Sequence, residues 1–300
     1  MKTMKSTRVR KSPSEKIEYF LICAFLTLFC LSTTYPFWHV LMYSISDSGE
    51  AMSGGLFFLP RKVSLLAYSM IFKTSQIYVA YGNTVVRTVF GTCLSVVLSI
   101  LTAFPLSRKR LRGRSRLSMF FFFTMLFTGG MIPTYLAVQA YGLIDTFWAL
   151  VFPSAMSAYN MFILRNYFQS IPDSLEESAH VDGANSFTVL LRIIIPISTP
   201  AIAAVAMFYG VANWNAYMDG ILYTNSTSLE ILQVYLRKLL ASTGTLNALA
   251  GVDNQSAAAN ITEESMKMAT IAVSVIPVLI VYPFLQRYYT KGMTAGAVKE

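Results

Sequence analysis

Charge is scarce in this chain. Of its 300 residues, 13% are charged and 54% are hydrophobic, against about 25% charged in an average soluble protein. That scarcity argues against a soluble globular domain. Histidine is rarer still, with only His39 and His180, and no His-Glu-x-x-His pair occurs. A metal hydrolase or a histidine-based triad has almost nothing to work with. The three cysteines, Cys23, Cys30 and Cys93, all fall inside apolar runs. They read as small buried hydrophobes, with neither a disulfide framework nor metal-ligand spacing. No Gly-Lys dipeptide occurs, so the Gly-x-x-x-x-Gly-Lys-[Ser/Thr] phosphate loop is missing. The chain is not expected to hold ATP in that manner. Nor do carboxylates or histidines cluster at a membrane face, as an enzyme acting on polysaccharide precursors would need.

Apolar residues, in contrast, are plentiful and fall in long blocks. Six blocks reach the roughly 17–25 residues that cross a bilayer. They are Tyr19–Ile45, Val79–Leu106, Leu117–Val138, Leu143–Leu164, Ile193–Met218 and Met268–Leu285. Only helices or closed barrels satisfy the backbone in lipid, and the blocks lack the period-two alternation of a barrel strand. The expected fold is all-α, with six transmembrane helices. The first block is too long for a signal-peptide core and has no small-residue cleavage site, so it reads as a permanent helix.

The net charge is +9, which by itself suggests nucleic acid. Its placement suggests topology instead. Lys2, Lys5, Arg8, Arg10, Lys11 and Lys16 precede the first block. Arg108, Lys109, Arg110, Arg112, Arg114 and Arg116 lie between the second and third, and Arg287, Lys291 and Lys299 follow the last. With six spans these segments share one side. The positive-inside rule makes that side, and both termini, cytoplasmic.

Several local features stand out. Tyr35, Trp38 and Tyr43 end the first block and suit a membrane interface. Arg87 lies inside the second block, where it either snorkels to the interface or lines a pathway. Gly129-Gly130-Met131-Ile132-Pro133 breaks the third block. The break is either a kink or a place where the backbone faces a partner helix or a cavity. Asp145 reads as the N-cap of the fourth span. Residues 219–267 form a large outer segment with one helical stretch around Leu229–Leu240.

The most distinctive stretch is polar and lies between the fourth and fifth blocks. Ile171-Pro172-Asp173-Ser174-Leu175-Glu176-Glu177 reads as a helix start, with Asp173 or Ser174 as cap and Glu176 or Glu177 completing a capping box. Ala179 and Gly183 are four apart and share a helix face, leaving room for another protein's backbone. A mid-helix glycine costs about 1 kcal/mol relative to alanine, so Gly183 implies a packing or turning role.

This stretch resembles the loop of the permease subunits of binding-protein-dependent ABC importers. Their pattern is Glu-Ala-Ala, three residues, Gly, nine residues, Ile, one residue, Leu-Pro. Here it reads Glu177-Ser178-Ala179, Gly183, Ile193, Ile195-Pro196, with every spacing kept and with Ser178 and Ile195 as the two departures. Asn160–Gly183, Asn213-Trp214-Asn215 and the tail Lys291–Lys299 are similar to the carbohydrate branch, in particular to the smaller maltose-permease subunit. Gly129–Ala149 is similar to the subset importing oligosaccharides cut from polysaccharides, often acidic ones.

The resemblance implies a type I importer fold with a basic lead at 1–18, a permease domain at 19–286 and a cytoplasmic tail at 287–300. It implies a coupling helix at about 172–186 that sits on a cytoplasmic ATPase. Glu177 would accept a hydrogen bond from that partner and Gly183 would let the chain turn back, with Ser178, Ala179, Asp182, Ile193 and Pro196 in the same motif. The implied partners are a second homologous permease, two copies of the ATP-binding subunit and an extracytoplasmic solute-binding protein, in a bacterial cytoplasmic membrane with lipid around the spans. ATP and Mg would be held by the ATPase, and no cofactor by this chain.

Asn213, Trp214, Asn215, Tyr217 and Asp219 supply the amides, aromatics and carboxylate that hold oligosaccharides. They face either the pathway or the docked binding protein, or else form an interfacial belt. A secondary transporter working without an ATPase is the alternative reading. Such transporters usually carry inverted repeats and intramembrane charges.

Overall fold

A computed structural model describes residues 13–241 and 262–297, and among them β-pairing is limited to an isolated antiparallel bridge between Ser46 and Val63. The helices are α1 (Pro13–Ser44), α2 (Ser48–Ala51), α3 (Leu66–Lys73), α4 (Ser75–Ser107), α5 (Arg114–Leu126), α6 (Met131–Ala140) and α7 (Ala158–Ser170). They continue as α8 (Asp173–Val181), α9 (Ser186–Val189), α10 (Ile195–Ile197), α11 (Thr199–Asn215), α12 (Met218–Tyr223), α13 (Leu232–Ala241) and α14 (Glu263–Ala297).

Three helical stretches are each long and apolar enough to cross a membrane: Ser14–Ser44, Ser75–Ser107 and Glu263–Pro283. Three bent pairs raise the number to as many as six if each pair is one span: α5 with α6, Phe147–Ser154 with α7, and Ser186–Ile197 with α11. All six expected blocks fall on these elements.

The bends have chemical causes. Between α5 and α6 the axis turns by 113°. Gly130, at φ 84° and ψ −177°, occupies a backbone region that is essentially glycine-only. The fifth block was expected to be one continuous span, but it is bent by 82° at Ser198. Pro196 has no N–H to give to the turn before it, and Leu190–Ile194 winds as a π-helix closed by the Ile195 N–H on Leu190. Pro200 then starts α11. Hydrophobicity runs straight through this break, so the apolar pattern hides it.

Among the described residues the chain forms two compact units, 13–69 with 262–272 and 70–241 with 273–297. In the first, α1 leaves its apolar side chains exposed along nearly its whole length. Its end carries an aromatic cluster in which Tyr43 meets Phe57 at 5.0 Å and Trp38 Nε1 donates to the Phe58 carbonyl. Tyr35 and Trp38, read as interfacial rings, therefore also tie down the loop after α2.

The second unit is built on α4, α7 and α11. Thr84, Arg87, Gly91, Ser95 and Ser99 make a buried stripe along α4. Small residues every three or four positions let helices approach closely in lipid. Ser99 Oγ lies 2.7 Å from Tyr209 Oη of α11, and a side chain at Gly91 would press on Asn213 at 3.2 Å. Below the stripe, Met161, Leu164, Phe168, Val189, Ile194 and Val205 form the apolar core.

Asp145 is not a helix cap, contrary to expectation. It accepts from the backbone N–H groups of Asn225 and Ser226 and from the Ser226 hydroxyl, pinning the loop after α12. These bonds, the Ser226 hydroxyl first, hold its carboxyl below the usual aspartate range. The tail expected after residue 286 continues as helix to Ala297. The basic lead up to residue 12 and the outer segment from 242 to 261 lie outside the described residues.

Candidate functional site

Two places bring the expected functional residues together. The first is α8. Asp173 and Glu176 sit in its first turn, where acidic groups complement the helix dipole. The expected capping box does not form. The N-cap is Pro172, which has no side-chain donor or acceptor, and Glu176 turns inward instead.

Glu176 is 8% exposed. Its Oε2 lies 2.8 Å from Arg108 Nε, an ionic contact rather than an aligned hydrogen bond. Its Oε1 lies 3.4 Å from Arg110 Nη2 and 3.5 Å from His180 Nε2. His180 Nδ1 donates to the Ala184 carbonyl at 2.7 Å, and Arg110 donates to Ser186 Oγ at 2.8 Å. Arg108 also lies over the Phe104 ring at 4.9 Å. One buried carboxylate thus joins α8 to the loop that leaves α4. Neither Glu176 nor its basic partners was singled out from the sequence as a group.

The motif residues themselves divide. Glu177, Ser178, Asp182 and Gly183 are exposed, together with Val181 at 88%. Ala179 is half-buried against the core, so it does not share an open face with Gly183 as expected.

Gly183 is not mid-helix either. It follows the last turn of α8 at φ 84°. The Gly183 N–H donates to His180 O and the Ala184 N–H to Ala179 O, the two bonds of a Schellman motif. A Cβ there would meet nothing within 4 Å, so glycine is required by the left-handed backbone and not by close approach. Asn185 then caps α9 by accepting from the Thr188 N–H. Ile193 is half-buried against the core and Pro196 is exposed at the break before Ser198.

The second place is an open cleft of about 650 Å³ between the α5–α6 break and the α11–α12 junction. Gly129 and Gly130 form one wall, and Asn215, Tyr217 and Asp219 the other. The glycine break therefore lies beside a cavity. Asn213 and Trp214 do not line the cleft. Asn213 is buried against Gly91 and Thr92 of α4, while Trp214 donates from Nε1 to the Ser274 carbonyl and meets Tyr81 edge-on. A helix places neighbouring residues about 100° apart, so Asn213 and Asn215 cannot both face one wall.

Arg87 does not snorkel. It is 1% exposed and pairs through Nη2 with Asp219 Oδ2, while Nη1 donates to the Ala216 carbonyl at 3.4 Å. Asp219 keeps 19% of its side chain exposed toward the cleft. An arginine buried in α4 thus neutralises a carboxylate on the cleft wall. Among the described residues no group of three metal-ligating side chains occurs.

The pattern of the family described as binding-protein-dependent transport system inner membrane component matches residues 77–295. The chain is 44% identical over 280 residues to the polygalacturonan/rhamnogalacturonan transport system permease protein YtcP of Bacillus subtilis, covering 93% of this chain and 97% of that protein. It is 38% identical over 267 residues to protein LplC of Bacillus subtilis, covering 89% and 90%. The fold superimposes with a TM-score of 0.86 on a crystal structure of a bacterial ABC transporter involved in the import of the acidic polysaccharide alginate, at 32% identity, covering 94% of this chain and 99% of that one. A family match across residues 77–295 and a 44% identical relative over nearly the whole length lead to one conclusion: this chain is a membrane transport component and belongs to the family of binding-protein-dependent transport system inner membrane components.

Proposed function

We propose that this chain is one of two permease subunits of an ATP-driven importer of oligosaccharides cut from acidic, uronate-containing polysaccharides. It crosses the bacterial cytoplasmic membrane six times with both termini inside. A homologous permease completes the pathway, two cytoplasmic ATPase subunits hold the ATP and Mg, and an extracytoplasmic binding protein delivers the sugar.

The observation that carries this reading is the presentation of α8. Its inner face is anchored by Glu176 and Ala179 and its end is fixed by Gly183, while Glu177, Ser178, Val181 and Asp182 are exposed. A polar helix braced in this way can pass a push from a docked protein into the spans. Glu177 receives a charge-assisted hydrogen bond from the ATPase.

The acidic cargo is supported by two relatives, one named for polygalacturonan and rhamnogalacturonan and one for alginate import. Both polygalacturonan and alginate are polyuronates. Asn215, Tyr217 and Asp219 supply pathway contacts, with Arg87, Asn213 and Trp214 holding that wall in place.

The test is to reconstitute the chain with its co-expressed permease, ATPase and binding protein and to measure sugar-stimulated ATP hydrolysis. Glu177→Ala should lower that stimulation about tenfold or more, the worth of a hydrogen bond to a charged group. Recovery of a complex without an ATPase, together with unimpaired transport by Glu177→Ala and Gly183→Val, would sink the coupling role. A binding protein that takes only neutral oligosaccharides would overturn the acidic cargo and leave the coupling role standing.

A further inference from the structure

A cavity of about 690 Å³ at the start of α5 plays no part in this reading. Gly113 precedes the helix at φ 79° and gives it no side-chain cap. The Arg114 and Leu117 N–H groups are taken by Leu111 and Gly113, while those of Ser115 and Arg116 find no acceptor among the described residues. Such free N–H groups favour an anion.

Three arginines, Arg114, Arg116 and Arg165, line the same cavity, with Ser118. No carboxylate lines it, and among the described residues none of the three forms a salt bridge. Arg165 is held in place. Its Nε donates to the Leu106 carbonyl at 3.0 Å and its guanidinium lies over the Phe162 ring at 5.6 Å. Arg114 is near enough for the two charges to repel. Ser118 Oγ is buried without a hydrogen-bond partner. The positive-inside rule accounts for arginines in this loop. It does not account for their convergence with free N–H groups and an unpartnered hydroxyl on one cavity.

The geometry points to a binding site for a phosphate group, that of an anionic phospholipid headgroup. The shared chemistry is a phosphate anion met by guanidinium and N–H donors. A lipid source fits the surroundings. Within two turns α5 becomes apolar and exposed, with Met119 at 64%, Phe120 at 61% and Phe123 at 55%. Acyl chains would lie along that face while the headgroup enters the cavity. Basic pockets where spanning helices meet the polar boundary hold acidic headgroups in this way. The site is separate from α8 and from the cleft, and it does not depend on the cargo or on the ATPase.

The test uses the full-length chain in nanodiscs, with retained lipid counted by native mass spectrometry and stability read by thermal unfolding. Phosphatidylglycerol should bind about tenfold or more tightly than phosphatidylcholine, and Arg114→Gln with Arg116→Gln should abolish the preference. Arg112→Gln, outside the cavity, should retain it. If the double variant does not fold, the exposed Arg116→Gln alone should still weaken the preference severalfold. Equal retention of the two lipids, or equal loss with Arg112→Gln, would overturn the site. Stabilisation by inorganic phosphate alone that matches phosphatidylglycerol would overturn the lipid source in favour of a soluble anion. Loss of ATPase recovery in the double variant with lipid preference intact would overturn the proposal and make these arginines a protein interface.

Discussion

Helix α4 is associated with two buried arginines, and the company they keep differs. Arg87 lies inside the helix, and Arg108 follows its last residue, about 31 Å further along at 1.5 Å per residue. Each holds one acidic residue from a distant element: Asp219 of α12 for Arg87, Glu176 of α8 for Arg108. Arg87 has that single carboxylate and one carbonyl, and its Nε has no partner. Glu176 answers to Arg108 and Arg110 together, with His180 beside them. The first pair is a private contact beside the cleft. The second is a node shared by the α4–α5 loop and α8. A private buried pair has no substitute when one partner goes, whereas a shared node can redistribute its contacts. The two ends should therefore fail differently, the first by losing stability and the second by losing communication.

The sharpest break in the comparison comes at the private pair. Asp219→Ala leaves Arg87 buried and uncompensated, and should destabilise the chain by about 3–5 kcal/mol. Thermal unfolding in detergent would read it. Arg87→Met combined with Asp219→Leu should recover most of that loss, because an apolar pair of similar size needs no counter-charge. If the single change is silent, Arg87 has water or another anion to turn to and the pair is not private.

These two pairs also mark where reading the sequence stopped. Apolar length alone found the positions of the helical blocks, because burial in lipid imposes a long run on any helix. Gly129-Gly130 was legible as a break because glycine next to glycine has few other uses inside an apolar block. The break at Ser198 was not, since Ile193–Met218 stays hydrophobic across it. Around α8 the glutamates were visible, but their division of labour was not. Glu176 and Glu177 are adjacent and chemically alike, and only the partner 68 positions earlier, Arg108, turns one inward. Gly183 was legible as a residue with a packing or turning role, but in mid-helix, and its backbone angle is what places it after the helix and leaves only the turn. Asn213, Trp214 and Asn215 form one polar phrase in sequence and point in different directions on a helix. Gly91, Ser95 and Ser99 carried a readable signal, a small residue every fourth position, that describes the contact with α11.

An intermediate effect should come from the glycines that let each site take its shape. Gly130→Ala forces a side chain into a region that costs about 1–3 kcal/mol, and it should deform the cleft wall. Gly183→Ala requires a left-handed alanine, at about 1–2 kcal/mol. Unfolding measurements should rank Gly130 at or above Gly183. The two should separate in transport assays, with Gly130→Ala altering sugar dependence and Gly183→Ala altering stimulated ATP hydrolysis. A Gly183→Ala chain that is destabilised yet fully coupled would show that the Schellman turn is structural only.

The smallest effects test whether the Glu176 node really shares its load. Arg108 is 9% exposed at the side chain and stacked on Phe104, while Arg110 is 60% exposed. A solvated ion pair contributes about 0–1 kcal/mol, so Arg110→Gln should barely shift the unfolding temperature. Arg108→Gln removes the buried partner and should cost more, but less than Asp219→Ala, because Arg110 remains to meet the carboxylate. The readout specific to a transmitting role is the ratio of transport to ATP hydrolysed. Glu176→Gln should lower that ratio, and exchanging the charges with Glu176→Arg and Arg108→Glu should restore part of it. Packing alone gives no reason for a charge exchange to recover coupling. A ratio left unchanged by Glu176→Gln would reduce the node to a brace and leave α8 to act on the spans through Ala179 and the turn at Gly183.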